Sequence, residues 1–279
     1  MEAETPLRHN EGMASIVQRT TYHAVYDESV LDALRFALEN GFSGVQAAAE
    51  LPHLSPLLMS PAVKQETAEY RRRHGLLLSL HAPDDAAGLC CLDPDLDAAA
   101  LTYLTRLFNA AEELGVHCVT LHVGATPQFG TDEAEPRTLP EPARAAMLAT
   151  LEANLRRVAG MAAGRCLACI ENQGLDDAMA SRLRPLVRKH WLWLAHDLAK
   201  PDPGGFFAQH AWAVRQVHLH VRAADGRSHA ALGPGCESLL AHFRRLEQHD
   251  VREYCIEVRP RERALASLTW LREATEQEG

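Results

Sequence analysis

Nowhere does this chain carry a run of about eighteen uncharged apolar residues, the length that crosses a bilayer as a helix. The opening MEAETPLRHNEG is polar and places Glu2 and Glu4 where a secretory signal needs basic residues and then an apolar stretch. Both absences predict a soluble, cytoplasmic protein with no membrane partner. Basic residues are also in deficit, with 28 Lys and Arg against 37 Asp and Glu and a net charge of −9. Phosphate backbones are bound by clustered Lys and Arg, so a broad nucleic-acid face is not expected, while a small basic pocket stays possible. The seven cysteines are an odd number, and Cys118, Cys166, Cys169 and Cys255 fall inside apolar runs, where they read as small buried hydrophobes and not as a disulfide framework. Cys166 and Cys169 form a C-x-x-C, yet an offset of three in a strand sends the two thiols to opposite faces, which defeats shared metal ligation.

What the chain has in quantity is alternation. Apolar or β-branched runs recur at 15–23, 41–49, 75–83, 115–124, 166–174, 191–199, 214–221 and 252–258, eight candidate strands. Helical patterns lie between and after them: SVLDALRFALEN before Gly41, VKQETAEYRRRH before Gly75, a long segment before Gly115, EPARAAMLATLEANLRRVAGMA, DDAMASRLRPLVRKH, PGGFFAQHAWA, CESLLAHFRRLEQHD and RERALASLTWLREATEQ. Strict alternation implies parallel strands. Eight units in 279 residues, without a Gly-rich dinucleotide fingerprint after the first strand, predict an α/β protein with a single (β/α)8 TIM barrel. The expected organisation is a flexible N-terminal segment over 1–14 and a barrel domain over 15–279. The longest loop, 125–142, follows the fourth strand and reads as a lid or a tolerated insertion.

Four runs in the second half end on side chains that bind metals: CLACIEN on Glu171, LWLAHD on Asp197, VHLH on His218 or His220, and YCIEV on Glu257. Their separations of 26, 21 and 39 residues leave room for a helix and its loops between successive strands. Period-two alternation gives the inward sets as Leu77, Ser79, His81; Cys118, Thr120, His122; Leu167, Cys169, Glu171; Trp193, Ala195, Asp197; Gln216, His218, His220; and Cys255, Glu257. Every set finishes on His, Asp or Glu at the end where barrel enzymes keep their active sites. One carboxylate at a strand end is ordinarily a helix cap or a surface charge, but six such ends call for a cation at their centre, because unpaired buried charges are costly. His218 and His220 share a face, the deeper suited to ligation and the shallower to substrate. His117 and His196, each one residue before an inward position, are expected to point outward as structural histidines, and His23 ends the first strand as a rim or pocket residue.

With these residues in place, the chain resembles the xylose isomerase-like TIM barrels, the family of sugar and sugar-phosphate isomerases and epimerases that is related to endonuclease IV. Its marks are ENGFSGVQ, SLHAP, TLHVG, IENQG, AHDLAK, VHLHVRAADGRSHAALGPG and CIEVRP, spread over nearly all eight units. The resemblance implies one divalent metal ion (manganese, magnesium, cobalt or zinc) held by Glu171, Asp197, His218 and Glu257. Glu171 and Glu257 are then also the paired proton-transfer carboxylates. It implies that His220 binds substrate and that His81 and His122 either line the substrate pocket or occupy the positions of additional zinc ligands in endonuclease IV. Two motifs depart from the family: its D-x-x-H becomes Asp197-Leu198-Ala199-Lys200, and the D-x-H of endonuclease IV becomes Arg227-Ser228-His229. Both departures argue against a three-metal assembly. Lys200 reads either as a cation for a carbonyl, carboxylate or phosphate or as a rim lysine paired with an acid.

The function expected is therefore a metal-dependent isomerase or epimerase of a small sugar or polyhydroxy acid, acting by carboxylate proton transfer through a metal-bound enediolate. Lys200, His220 and Arg222 would fix hydroxyls or an anionic tail, with Arg222 inward only if its strand extends that far. The alternatives are a dehydratase of the inosose or dehydroshikimate type on the same metal site, a non-catalytic sugar-binding protein in which Lys200 replaces the metal, and an endonuclease IV-like nuclease acting at abasic sites. Barrels of this size often pair, which makes a homodimer possible.

Overall fold

The computed structural model describes residues 14–84, 88–126, 128–129, 137–223 and 226–277. Residues 1–13 of the predicted N-terminal segment lie outside them. Eight parallel strands close into one barrel: β1 Thr20–Ala24, β2 Gly44–Ala48, β3 Leu77–His81, β4 Cys118–Leu121, β5 Leu167–Glu171, β6 Trp193–Asp197, β7 Val214–Leu219 and β8 Glu253–Ile256. Each pairs with its sequence neighbours, and β8 returns to β1 through the register Thr21 to Cys255. The fold class expected from alternation is the fold observed.

Helix termini follow local chemistry. Ser29, Ser60, Asp93 and Asp176 accept main-chain N–H bonds at the starts of α2 (Val30–Asn40), α3 (Pro61–His74), α4 (Pro94–Leu114) and α6 (Asp177–Arg188). Gly41, Gly75 and Gly115 close α2, α3 and α4 in the left-handed region. The helix α5 spans Glu141–Ala162, the bounds read from sequence. The last two helices, α8 (Ser238–Leu246) and α9 (Arg261–Glu276), fall within their predicted segments.

Two expectations are corrected. The run at 15–23 is not one strand: Ala14–Val17 forms a helical turn, α1, whose Ile16 is fully buried, and β1 starts only at Thr20. The turn is tied off by the Thr20 hydroxyl, which donates to Ile16 O at 2.8 Å. The segment PGGFFAQHAWA is not one helix either, because Gly204 and Gly205 take φ of 53° and 66°. It splits into a 3-10 turn at Pro203–Gly205, the short helix α7 at Phe206–Gln209 and a second 3-10 turn at Ala211–Ala213. Much of the long loop after β4 lies outside the described residues; within it Gln128–Phe129 pairs antiparallel with Arg137–Thr138.

The outer face of the barrel is apolar. Val45, Leu78, Leu80, Val119, Leu121, Ile170, Leu194, Val217, Leu219 and Ile256 are completely buried against the helix layer. The inner face is different. Below the mouth it holds Cys118, Cys169 and Ala195 beside a polar layer of Thr21, Gln46, Ser79, Thr120, Gln216 and Glu253. Cys169 sits inside the barrel, Cys166 packs against the outer core, and all seven cysteines are free.

Candidate functional site

The barrel register brings the strand-end side chains to one mouth. The paired residues Asp197 and His218 lie side by side on β6 and β7. Glu171 closes β5, and Glu257 follows β8 by one residue. All four are buried: Asp197 and His218 completely, Glu171 and Glu257 to within 3%. They meet a ring of histidines. The Glu171 Oε2 atom lies 3.3 Å from His81 Nε2, 3.1 Å from His122 Nε2 and 3.3 Å from His218 Nδ1. That same His218 nitrogen lies 3.3 Å from Glu257 Oε1 yet has no hydrogen-bond partner in proper geometry.

Each imidazole is oriented from behind. His81 Nδ1 donates to Ala82 O at 2.9 Å, which turns Nε2 toward Glu171. Nε2 of His218 is 3.2 Å from the Gln216 side-chain oxygen, and Gln46 approaches the same nitrogen at 3.1 Å. Nε2–H donates to the Gln216 oxygen, which leaves Nδ1 facing the two carboxylates. Asp197 is held through its main chain, since Asn172 donates to Asp197 O at 2.9 Å and accepts from Asp197 N at 2.8 Å.

The electrostatics follow from this crowding. Burial alone would raise Glu171, but His218, His122 and His81 hold its carboxyl well below the usual carboxylate range. Burial opposes a charge on His218, yet Glu257 and Glu171 push it up to about 10. Against the same penalty, Glu171 and Glu257 raise His81 to about 9. His23 goes the other way, lowered well below its ordinary value by burial and then by His81 and Arg259. Its Nδ1 is 3.5 Å from Glu257 Oε1, and neither of its ring nitrogens has a hydrogen-bond partner.

Of the residues singled out in the sequence, Glu171, Asp197, Glu257, His81, His122 and Lys200 all line one cavity of about 100 Å³. His220 stands beside it: its Nδ1 accepts from His229 N–H at 3.3 Å, so its Nε2–H donates to Asp197 Oδ2 at 3.0 Å. Lys200 is half-buried and donates its main-chain N–H to Asp197 O. Arg222 is not brought in. β7 ends at Leu219, and Arg222 is exposed with its guanidinium 3.4 Å from Gly226 O; the arginine that lines the cavity is Arg259.

The histidines outside the predicted site divide. His196 packs outward as expected, its ring 5.1 Å from Phe207, and burial lowers it to about 4. His117 does not join the helix layer: it precedes β4, where strand alternation has not begun, and its Nε2 lies 3.0 Å from the buried Glu253. His229, read only as a departure from a motif, lies with its ring centre 4.3 Å from that of His220 and tilted to it, and places Nδ1 3.8 Å from Glu257 Oε2. Glu253 was missed although it shares inward parity with Cys255 and Glu257; extending that set two residues back would have found it.

Potential ligand atoms of His81, Asp84 and His122 cluster within 4.8 Å, as do those of His220, His229 and Glu257. Nitrogen and oxygen donors that converge this closely, beside an orphaned buried imidazole nitrogen on His218, fit a divalent cation.

A closed parallel barrel with these charged side chains gathered at the strand C-termini is a TIM barrel, and that face is where such barrels carry their active sites. The chain matches the family described as "Xylose isomerase-like TIM barrel" over residues 34–274 and belongs to it. No curated protein sequence matches it. Among solved structures it is similar to a D-tagatose 3-epimerase-like protein, with 17% identity, TM-score 0.70, and 92% of this chain and 97% of that one covered. It is also similar to the TTHB071 protein from Thermus thermophilus soaked with ZnCl2, with 24% identity, TM-score 0.60 and coverages of 94% and 99%. Endonuclease IV from the same organism aligns at 18% identity, TM-score 0.64 and coverages of 93% and 99%.

Proposed function

We propose that this protein is a metal-dependent isomerase or epimerase of a small sugar or polyhydroxy acid. The observation that carries the reading is the pair of carboxylates that meet at one imidazole: Glu171 and Glu257, delivered from different strands, each lie 3.3 Å from His218 Nδ1. Glu171, Asp197, His218 and Glu257 would hold one divalent ion (manganese, magnesium, cobalt or zinc), which when bound supplies Lewis acidity toward a substrate carbonyl.

The protein's own residues do the rest. One of Glu171 and Glu257 removes the proton from the carbon beside the carbonyl, and the other returns a proton to the neighbouring carbon or the opposite face. Lys200, on the cavity wall, offers its ammonium to a substrate oxygen. His81 and His122 orient Glu171 and contact the hydroxyls of the bound chain. His220 keeps Asp197 in place through Nε2–H. In support, one protein of similar fold was soaked with ZnCl2 and another is described as D-tagatose 3-epimerase-like. Among the described residues no helix is long and apolar enough to cross a membrane.

The test is solvent exchange. Metal-loaded protein incubated in D2O with a panel of ketoses and aldoses should place deuterium on the carbon next to the carbonyl, read by NMR. Absence of exchange with every sugar, in protein shown to hold metal, overturns the reading. One observation favours a second: His81, Asp84 and His122 beside Glu171 form a further donor group, which suits hydrolysis of a phosphodiester. Cleavage of an abasic-site duplex by the metal-loaded protein would select it.

A further inference from the structure

The mouth is small. At about 100 Å³ it has less than a fifth of the volume of the cavity beside it, so it suits the reacting end of a substrate better than its whole length. Two of its walls, His229 and Arg259, are shared with a second cavity of about 530 Å³. A substrate with its carbonyl end among Glu171, Asp197 and Glu257 therefore has its far end over this neighbour.

The neighbouring cavity is basic in an acidic protein. Arg227, Arg259 and Arg263 line it with Ser228 and His229, and no acidic side chain is among the described residues of its wall. The segment Arg259-Pro260-Arg261-Glu262-Arg263 shows what distinguishes these arginines. Arg261 is committed to the fold: it is ion-paired with Asp27 and Asp32, with its guanidinium 4.5 Å from the Phe36 ring centre. Arg259 and Arg263 form no ion pair or side-chain hydrogen bond with any described residue. Arg259 is half-buried at the seam between the two cavities. A guanidinium held there without a partner is matched by a planar or tetrahedral oxyanion, which it can bind through two parallel N–H donors.

We propose that the second cavity is a subsite for an anionic terminus of the substrate, a phosphate or carboxylate at the end of the polyhydroxylated chain remote from the carbonyl. Arg259 and Arg263 hold the oxyanion, with Arg227 and the Ser228 hydroxyl beside it. The assignment rests on the reading that the Glu171/Glu257 mouth receives the carbonyl end.

Binding calorimetry on the full-length, manganese-loaded protein tests it with three ligands of one carbon skeleton: D-fructose, D-fructose 6-phosphate and D-fructuronate. At least one anionic ligand should bind about tenfold or more tighter than D-fructose, the worth of one charge-assisted contact, and the advantage should shrink as salt is raised. The larger advantage tells phosphate from carboxylate. In Arg259→Gln and in Arg263→Gln the ratio of anionic to neutral affinity should fall toward one. Arg263 is exposed at the start of the last helix, so its variant folds even if the Arg259 variant does not. Equal affinities for all three ligands overturn the proposal, as does an advantage that survives Arg263→Gln and Arg259→Gln alike. An abasic-site duplex that binds tighter than either anionic sugar, and loses that affinity in the same variants, also overturns it in favour of a nucleic-acid backbone. Because binding is read without turnover, the subsite and the reaction fail separately. An anion preference lost in the variants, in a protein that exchanges no deuterium, upholds the subsite alone; exchange without the preference upholds the reaction alone.

Discussion

Gln216 donates its amide to Glu253 across 2.7 Å, and both side chains are completely buried inside the barrel beneath the mouth. The other end of the Gln216 amide accepts from the Thr120 hydroxyl and lies 3.2 Å from His218 Nε2. Glu253 is saturated in turn, accepting from Thr21 at 2.5 Å and Ser79 at 2.8 Å and facing His117 at 3.0 Å. A buried glutamate at the foot of the barrel is thus joined through one glutamine to a proposed metal ligand.

This chain has a consequence for metal binding. Replacing Gln216 with Leu removes the group that takes the His218 Nε2 proton and should weaken manganese or zinc binding by roughly 10- to 100-fold. Metal titration by calorimetry checks it, and unchanged affinity would show that Gln216 does not set the orientation of the ring.

Glu253 governs acid stability. Burial acts to raise its pKa, but His117, Thr21 and Ser79 outweigh burial and hold it below the ordinary 4.5. A lowered folded pKa contributes stability that is present above the unfolded value and lost as pH falls through the folded one. Urea midpoints of the wild type should therefore drop on acidification below about pH 4.5 more steeply than those of Glu253→Gln. At neutral pH, Glu253→Ala should cost about 3–5 kcal/mol, because it strands His117 and three donors in the barrel interior.

In the proposed reaction Glu171 and Glu257 combine ligation with proton transfer, whereas Asp197 only ligates. Glu171→Gln and Glu257→Gln should each slow solvent-deuterium exchange by roughly 10²- to 10⁴-fold. Asp197→Asn should instead act first on retained metal, measured by elemental analysis after dialysis against the wild type.

Gly44 offers a test of the barrel itself. A Cβ there would sit 2.0 Å from Leu77 O, a backbone atom of the adjacent strand that has no room to yield. Gly44→Ala should lower stability by about 1–3 kcal/mol or more, read as a fall in the urea midpoint, through pushing β2 and β3 apart.

Much of this architecture was legible in the residues. Period-two alternation places Cys118, Cys169 and Ala195 inside the barrel, since a barrel strand offers only two faces. The caps at Gly41, Gly75 and Gly115 were legible because a left-handed residue after a helix favours glycine. The breaks at Gly204 and Gly205 were harder to read: apolar periodicity across FFAQHAWA imitates one helix, and only the backbone angles show otherwise.

What the chain determined alone, then, is periodic: strand and helix phases, the closed barrel they imply, and a mouth that carries Glu171, Asp197, His218 and Glu257. What tertiary structure decided is aperiodic. It placed Arg259 and His229 on the cavity wall and left Arg222 outside. It turned His117 onto Glu253 and set Asn172 to hold Asp197. These residues lie in loops or across the barrel from their partners, where no repeat in the sequence records direction. Their positions follow from contacts between segments distant in the chain, such as His117 with Glu253 and Asn172 with Asp197.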